Sequence, residues 1–262
     1  MTNPPSREAG DIDIAAAAAL FADRTRVKVL AALSDRRSLP ATVLAAEAGV
    51  SAQAASGQLA RLVEAGLLEV ERTGRNRYYR LASDHVAAVF EALAQLAPTQ
   101  PIRSLREATR ANAVREGRTC YDHLAGRLGV GITRSLIDAR ALATVDGVPD
   151  NRRRPNDKVS TQMPEHPYVL GPTARETFGS LGIAADELTS VRGRRPLLRF
   201  CMDWSEQCHH LAGHLGAMVC TSLLEAGWIT RTPVRRAVKL TDAGTRELHD
   251  RLGLTLPAHC ER

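Results

Sequence analysis

Residues 39–81 read LPATVLAAEAGVSAQAASGQLARLVEAGLLEVERTGRNRYYRL, and this stretch decides the fold of the N-terminal third of the chain. Its first part predicts a short alanine-rich helix that ends at Gly49, and its second part predicts a helix that begins at Ser51 and ends at Gly66. Two strand-like runs then flank Thr73-Gly74-Arg75-Asn76, a pattern typical of a hairpin turn. The order helix, turn, helix, hairpin predicts a winged helix-turn-helix.

The second helix and the hairpin carry the residues that we expect to contact DNA. The helix has one apolar face, and its opposite face is polar, with glutamine to pair with adenine and arginine to pair with guanine or phosphate. Gly57 costs about 1 kcal/mol in mid-helix relative to alanine. A close approach to DNA would explain it, and a tolerated, weakly destabilising glycine is the alternative. The hairpin arginines suit phosphates or the minor groove. The predicted contacts are Ser51, Gln53, Ser56, Gly57, Gln58, Arg61, Arg72, Arg75, Asn76 and Arg77.

The composition favours a polyanion partner. The chain has 262 residues and a formal net charge of +6, and basic side chains that neutralise phosphates release counterions on binding. Aromatic residues make up only 4%, so we expect helical units whose cores consist of Ala, Leu and Val. Neither a long apolar run nor the layout of a signal peptide is present. With five cysteines, an odd number, we expect a cytoplasmic protein with reduced thiols.

The chain divides into predicted segments at its prolines and at changes of periodicity. Residues 1–10 predict a disordered tail, and residues 11–97 predict the DNA-binding domain, with a bend near residues 23–25 and a last helix over 83–97. A solvated connecting helix is expected over 98–118. The fold class that follows is mainly α with small β-hairpin wings, an α+β arrangement.

An internal repeat organises the second half of the chain. Residues 123–129 read HLAGRLG and residues 210–216 read HLAGHLG, so six of seven positions are identical. The flanking patterns also match, and they predict a winged-helix-like unit of helix, helix, hairpin and helix that occurs twice, over 119–183 and 208–256. A bridge over 184–207 is expected between the copies, and residues 146–167 predict a long loop in the first copy.

The segments ADRTRVKVLAALSD, EAGLL and GRNRYYRL resemble the ArsR/SmtB family of bacterial repressors, over about residues 12–97. The resemblance implies a homodimer joined through the first and last helices of this domain, which binds an operator with two-fold symmetry. The metal sites familiar in that family are not matched: Val43-Leu44-Ala45-Ala46 lacks cysteine, and the helix after Asp84-His85 has no second histidine. We therefore expect His85 to be a surface residue.

Any sensing is then expected in the second half, which contains every cysteine, with Cys220 in the core and Cys260 incidental. One hypothesis is a transition-metal site in which Cys120 and His123 share a helix face. A second is a thiol switch at Cys201 or Cys208 that responds to an oxidant. A third is a small-molecule pocket between the repeats, lined by Tyr121, Trp204 and the His-Leu-Ala-Gly turns. The candidate metal ligands are Cys120, His123, Cys201, Cys208 and His210.

A purely structural role for these residues is the alternative. His123 and His210 would then form hydrogen bonds inside each repeat, while Gly126 and Gly213 would permit close helix packing.

The sequence thus predicts a DNA-binding transcriptional regulator, a repressor released from double-stranded DNA by a metal, oxidant or small-molecule effector. An enzyme with a fused helix-turn-helix is one alternative, although we find no nucleophile elbow, phosphate-binding glycine loop or paired carboxylates. A second alternative is a regulator whose repeats serve only for dimerisation.

Overall fold

The structure, a computed structural model, describes residues 11–34, 37–74, 76–98, 101, 104–155, 157, 163, 165–189 and 195–256. The predicted tail over 1–10 and Cys260 lie outside the described residues. The chain divides into two compact units. The first unit comprises residues up to 31 together with 38–82, and the second comprises residues 32–37 together with 83 onward.

The first unit begins with two helices, α1 (Ile14–Ala22) and α2 (Arg24–Leu33). They are separated at Asp23, whose carboxylate accepts a hydrogen bond from the backbone N–H of Arg26 at 2.9 Å and so caps the second helix. The predicted bend is therefore confirmed. A short strand β1 (Leu39–Pro40) leads into α3 (Ala41–Ala48) and α4 (Ala52–Glu64).

Local chemistry sets the boundaries of the helix-turn-helix. Gly49 adopts a φ of 72°, a left-handed conformation that ends α3. Ser51 caps α4, because its hydroxyl accepts a hydrogen bond from the backbone N–H of Ala54 at 3.2 Å. These are the boundaries that the sequence predicts.

A three-stranded antiparallel sheet completes the first unit. Strands β2 (Leu68–Thr73) and β3 (Asn76–Leu81) form the predicted wing, and β1 pairs with the other edge of β3. Helix α4 packs on α3 and on β2. The buried apolar residues of this unit include Val29, Leu30, Leu44, Ala45, Ala48, Ala55, Leu59, Leu62, Leu68, Tyr79 and Leu81. The predicted winged helix-turn-helix is confirmed.

The second unit begins with α5 (Asp84–Leu96) and α6 (Leu105–Glu116) and then runs twice through one order of elements. The first copy is β4 (Arg118–Cys120), β5 (His123–Ala125), α7 (Gly126–Asp138), β6 (Leu142–Thr144), β7 (Tyr168–Leu170) and α8 (Ala174–Ser180). The second copy is β8 (Arg199–Met202), β9 (His209–Ala212), α9 (Gly213–Glu225), β10 (Ile229–Arg231), β11 (Val238–Leu240) and α10 (Asp242–Leu252). Helices dominate both units, as the predicted fold class requires.

The order within each copy corrects one prediction. Each copy runs hairpin, helix, hairpin, helix, and its His-Leu-Ala residues lie in a strand rather than in an opening helix. The reason is the glycine that follows: Gly126 and Gly213 have φ values of 71° and 73°, so the helix starts only there. The second copy also begins at Arg199, inside the predicted bridge over 184–207. The winged-helix likeness of the copies remains a prediction.

Two further features differ from the expected domain plan. Helix α5 groups with the second unit, so the first unit ends at residue 82 rather than at 97. The two copies also share one core, because α7 packs on β9 and α9 packs on β5. Each copy therefore completes the other. None of the helices in the described part of the chain combines the length and the apolar character that a membrane span requires.

Candidate functional site

Helix α4 presents an open polar face. Its core side is buried, whereas Gln53, Ser56 and Arg61 on the other side are exposed. A Cβ placed on Gly57 would meet no other atom within 4 Å, so nothing inside the protein requires glycine at this position. The predicted contacts Gln53, Ser56, Gly57 and Arg61 are therefore accessible on this side of the helix.

Gln58 differs from its neighbours because it is held from within the first unit. The guanidinium of Arg26 donates a hydrogen bond to its side-chain oxygen at 2.9 Å and also donates to the carbonyls of Ala19 and Leu20. Arg26 thus ties α4 to the bend between α1 and α2. Sequence reasoning missed this positioning role, although Arg26 lies in the quoted ADRTRVKVL segment.

The wing presents a pair of arginines on its two paired strands, β2 and β3. Arg72 lies directly opposite Arg77 in the β2–β3 register, and both are exposed, as is Asn76 near the tip. Arg80, by contrast, forms an ion pair with Glu69 on the neighbouring strand. Arg75 lies outside the described residues. Two adjacent exposed cations suit the phosphate backbone, which is the contact that the sequence predicts.

In the second unit, four of the five candidate metal ligands come together. One potential ligand atom from each of Cys120, His123, Cys201 and His210 lies within 4.8 Å of the others, and all four residues are at most 5% exposed. Cys208 is buried but is not part of this group. It is disulfide-bonded, so the expectation of reduced thiols is wrong for this residue. We call these four residues the Cys/His cluster.

The hairpins explain how the Cys/His cluster forms. Cys120 is the direct partner of His123 in the β4–β5 register, and Cys201 is the direct partner of His210 in the β8–β9 register. The prediction that Cys120 and His123 share a helix face is therefore wrong. Because opposite residues in an antiparallel pair project to the same side, each hairpin supplies one thiol and one imidazole. The imidazole rings stack with centroids 5.2 Å apart.

A carboxylate accompanies each histidine. The Nδ1 atom of His123 lies 3.3 Å from a carboxylate oxygen of Asp122, which is in turn paired with Arg195 at 2.8 Å. The Nδ1 atom of His210 lies 3.6 Å from Asp203, and this aspartate is fully buried.

Asp203 also joins the two copies. Its carboxylate accepts hydrogen bonds from the guanidinium of Arg118 at 2.8 Å and from the backbone N–H of Gly126 at 2.7 Å. Both groups belong to the first copy, whereas Asp203 belongs to the second. Burial raises the pKa of Asp203, but Arg118 and His210 outweigh burial and hold that pKa well below its usual value.

Burial controls ionisation in the cluster itself. A hydrogen bond with Cys201, together with burial, raises the pKa of Cys120 well above its ordinary value. Burial lowers the pKa of His210 well below its ordinary value. Burial also acts to lower the pKa of His123, but Cys120 and Asp122 outweigh it and raise this pKa to about 9.

Neighbouring His209 shows what a satisfied buried histidine looks like in this fold. Its Nδ1 atom lies 2.6 Å from the hydroxyl of Tyr168, and its Nε2 atom lies 2.7 Å from a carboxylate oxygen of Asp157. Among the described residues, by contrast, Nε2 of His123 and both ring nitrogens of His210 have no hydrogen-bond partner. The sequence did not single out Tyr168 or Asp157, which fix His209.

The two aromatic residues predicted to line one pocket, Tyr121 and Trp204, lie in different surroundings. Tyr121 lines a small pocket beside the Cys/His cluster, together with Asp84, Ala87 and Glu91 of α5. Trp204 is not part of the lining. Its ring instead lies beneath the guanidinium of Arg118, with the guanidinium carbon 4.3 Å from the centre of the Trp204 ring. His85 is exposed, as the sequence predicts.

Comparison with known proteins places the chain among regulators of transcription. The model of a family described as "Helix-turn-helix domain" matches residues 21–71. An uncharacterized HTH-type transcriptional regulator of Bacillus subtilis strain 168, YdfF, is 38% identical over 232 residues, which are 88% of this chain and 93% of the relative. The alignment must therefore include most of the second unit as well as the first.

Two solved structures resemble a smaller part of the chain. Reduced HlyU from Vibrio cholerae is 27% identical over 32% of this chain and 88% of its own, with a TM-score of 0.30. A homodimeric winged helix-turn-helix domain from Mycobacterium bovis, described as a possible ArsR-family regulator, is 31% identical over 34% of this chain and 88% of its own, with a TM-score of 0.28. Because both TM-scores are low, the family relationship rests on the B. subtilis relative and the helix-turn-helix model.

Proposed function

Since this chain belongs to the family of helix-turn-helix transcriptional regulators represented by YdfF, we propose that it is a repressor that binds its operator as a homodimer. We further propose that it releases DNA when the second unit receives a signal, and that it acts in the cytoplasm. Its role as a DNA-binding transcriptional regulator follows from the family. A regulator of this kind is usually not an enzyme.

The exposed polar face of α4 is the observation that carries this proposal. Gln53, Ser56 and Arg61 lie on that face, and Arg72 and Arg77 extend the same basic, polar character along the wing. A helix of this kind reads base edges in the major groove, while wing arginines fix its position on the phosphates. In a two-fold dimer, two such helices would reach half-sites about 34–36 Å apart.

Helix α5 supports a route from the second unit to the DNA-binding unit. It follows the wing directly in the chain, yet its contacts belong to the second unit. Its buried Glu91 pairs with Arg236, whose guanidinium also lies 5.7 Å from the ring centre of Phe90. A signal that changes the second unit would therefore move the helix attached to the wing. Such a signal can shift DNA binding only by its difference in affinity for the two states.

The experiment that tests the DNA interface is a salt titration. We expect the double variant Arg72→Ala/Arg77→Ala to lower the affinity for all duplexes. The negative slope of log K against log salt should become shallower by about 2, because each lost phosphate contact removes about 0.9 from its magnitude. Fluorescence anisotropy with a labelled duplex measures both quantities.

The matched control is Arg175→Ala, which removes an exposed positive charge on α8 in the second unit. This variant should keep the wild-type slope. A double wing variant with the wild-type slope would overturn the assignment of the wing to DNA. Sedimentation of the full chain tests the homodimer separately, and a monomer at the concentrations that saturate DNA would contradict it.

A further inference from the structure

We propose that the Cys/His cluster is a tetrahedral binding site for one thiophilic divalent transition-metal ion, with Zn²⁺ as the best match. The site is inferred from the second unit alone and does not depend on the proposed repression. Bonds of about 2.3 Å from zinc to sulfur and about 2.0–2.1 Å to nitrogen place tetrahedral ligand atoms about 3.3–3.8 Å apart. The four ligand atoms here already lie within 4.8 Å of one another, so small side-chain rotations close the site.

The unsatisfied nitrogens are the strongest reason to expect a ligand. His123 and His210 are 5% and 1% exposed, and three of their four ring nitrogens find no hydrogen-bond partner in the described part of the chain. A buried polar atom without a partner costs about 1–3 kcal/mol. His209 directly precedes His210 on β9, and both of its ring nitrogens have hydrogen-bond partners. This fold is therefore able to pair a buried histidine. One metal ion would bind Nε2 of His123 and Nε2 of His210 together.

The surrounding carboxylates are placed as outer partners of a metal site. A histidine that binds a metal through one nitrogen usually directs the other to a carboxylate, which fixes the ring. Asp122 lies beside Nδ1 of His123, and this leaves the orphaned Nε2 for the metal. Asp203 lies 3.6 Å from Nδ1 of His210, which leaves Nε2 on the second ring in the same way. The two copies thus supply equivalent pairs of inner and outer groups.

The donor set selects the class of metal. Two thiols and two imidazoles are soft and borderline donors, which favour zinc and similar ions over magnesium or calcium. Both thiols, and an imidazole that is protonated, release their protons to solvent on binding, and two thiolates then neutralise one divalent cation. A neutral centre suits a site whose four residues are almost fully buried.

A disulfide between Cys120 and Cys201 is the competing explanation for their proximity. Both cysteines are free thiols in this structure. A disulfide would consume the two sulfurs but would leave both histidines without partners, whereas a metal uses all four residues. The geometry therefore favours the metal, and oxidation becomes an outcome of the test.

The test uses the full chain, purified under reducing conditions and reconstituted with ZnCl₂ or CoCl₂. Native mass spectrometry should show one metal ion per chain, and the Co²⁺ form should show thiolate-to-metal charge transfer together with the visible absorption of tetrahedral cobalt. Cys120→Ser and Cys201→Ser should each lose both signals. Cys220→Ala, which removes a buried thiol of α9 outside the cluster, should retain them.

A second measurement covers the case in which the serine variants do not fold. Alkylation of wild-type chain should modify Cys120 and Cys201 more slowly with one equivalent of Zn²⁺ than with chelator, as peptide mass mapping would show. Wild-type chain that binds no metal, metal that persists in both serine variants, or a Cys120–Cys201 disulfide that forms equally with and without Zn²⁺ would each overturn the proposal.

Discussion

Helix α4 and the Cys/His cluster hold their functional side chains in opposite ways. On α4, Gln53, Ser56 and Arg61 are exposed, and the space around Gly57 is open. In the cluster, the polar residues are buried and the fold leaves them incomplete, with three imidazole nitrogens unpaired among the described residues. The first arrangement suits a large external partner such as DNA, and the second suits a small ligand that enters the protein.

The comparison also separates two kinds of evidence for function. An exposed polar face is common on protein surfaces, so α4 gains its meaning from the helix-turn-helix around it. Buried polar atoms without partners are rare, and each one requires an explanation. The cluster therefore indicates a ligand without help from any relative.

The largest effect that we expect is the loss of the ion pair that joins the two copies. Arg118 and Asp203 form a salt bridge at 2.8 Å with side chains that are 1% and 0% exposed. Asp203→Asn should lower the free energy of unfolding by about 3–5 kcal/mol, because Arg118 then remains buried and uncompensated. Urea denaturation of the full chain measures this change.

The control for that prediction is an exposed pair. Asp138→Asn, which breaks the ion pair with Arg134 on the surface of α7, should change stability by less than about 0.5 kcal/mol. Equal changes in the two variants would show that Asp203 does not hold the copies together.

A smaller loss of stability is expected at Gly129, where the second unit leaves no room for a side chain. A Cβ on Gly129 would lie 2.3 Å from the carbonyl oxygen of Leu124, which belongs to the backbone of β5. Gly129→Ala should therefore lower the free energy of unfolding by about 1–3 kcal/mol. Thermal denaturation checks this, with Gly179→Ala on α8 as the control, since nothing lies within 4 Å of that position. A wild-type midpoint for Gly129→Ala would contradict the close packing of α7 on its own hairpin.

The smallest effect on stability is expected at Gly57, and its sign is opposite. Gly57→Ala should raise the free energy of unfolding by up to about 1 kcal/mol, because alanine is the better helix former and the site is open. The same methyl group should weaken DNA binding if this side of α4 approaches the duplex. Anisotropy with a labelled duplex decides the matter: a stabilised variant with unchanged affinity would remove Gly57 from the interface.

The first unit could be predicted from the sequence because its signals are local. The caps at Gly49 and Ser51, the polar face of α4 and the wing turn are each encoded within a few residues. The bend at Asp23 is local in the same sense. The link between Arg26 and Gln58 is not, since it joins residues more than thirty positions apart.

The cluster could be predicted only in part, because its geometry is long-range. The residue types at Cys120, His123, Cys201 and His210 indicate metal chemistry, but periodicity places the first pair on a helix and cannot pair the hairpins. Two features could not be predicted from the sequence pattern. Each His-Leu-Ala segment is a strand because a left-handed glycine follows it, and the helix of each copy packs on the hairpin of the other copy. Cys208 shows that proximity in sequence does not predict proximity in space, since it directly precedes His209 and His210 but is not part of the cluster.

We propose that the exposed face of α4 reads DNA, and the Cys/His cluster is the candidate for the signal that the second unit receives. The most direct test is the affinity of the full chain for a duplex selected from a randomised library, measured by anisotropy with Zn²⁺ and with chelator. The account predicts that the two wild-type affinities differ by about 5–150-fold, the usual range of allosteric coupling, and that Cys120→Ser/Cys201→Ser binds equally in both conditions. Equal wild-type affinities, with Zn²⁺ shown to be bound, would contradict the claim.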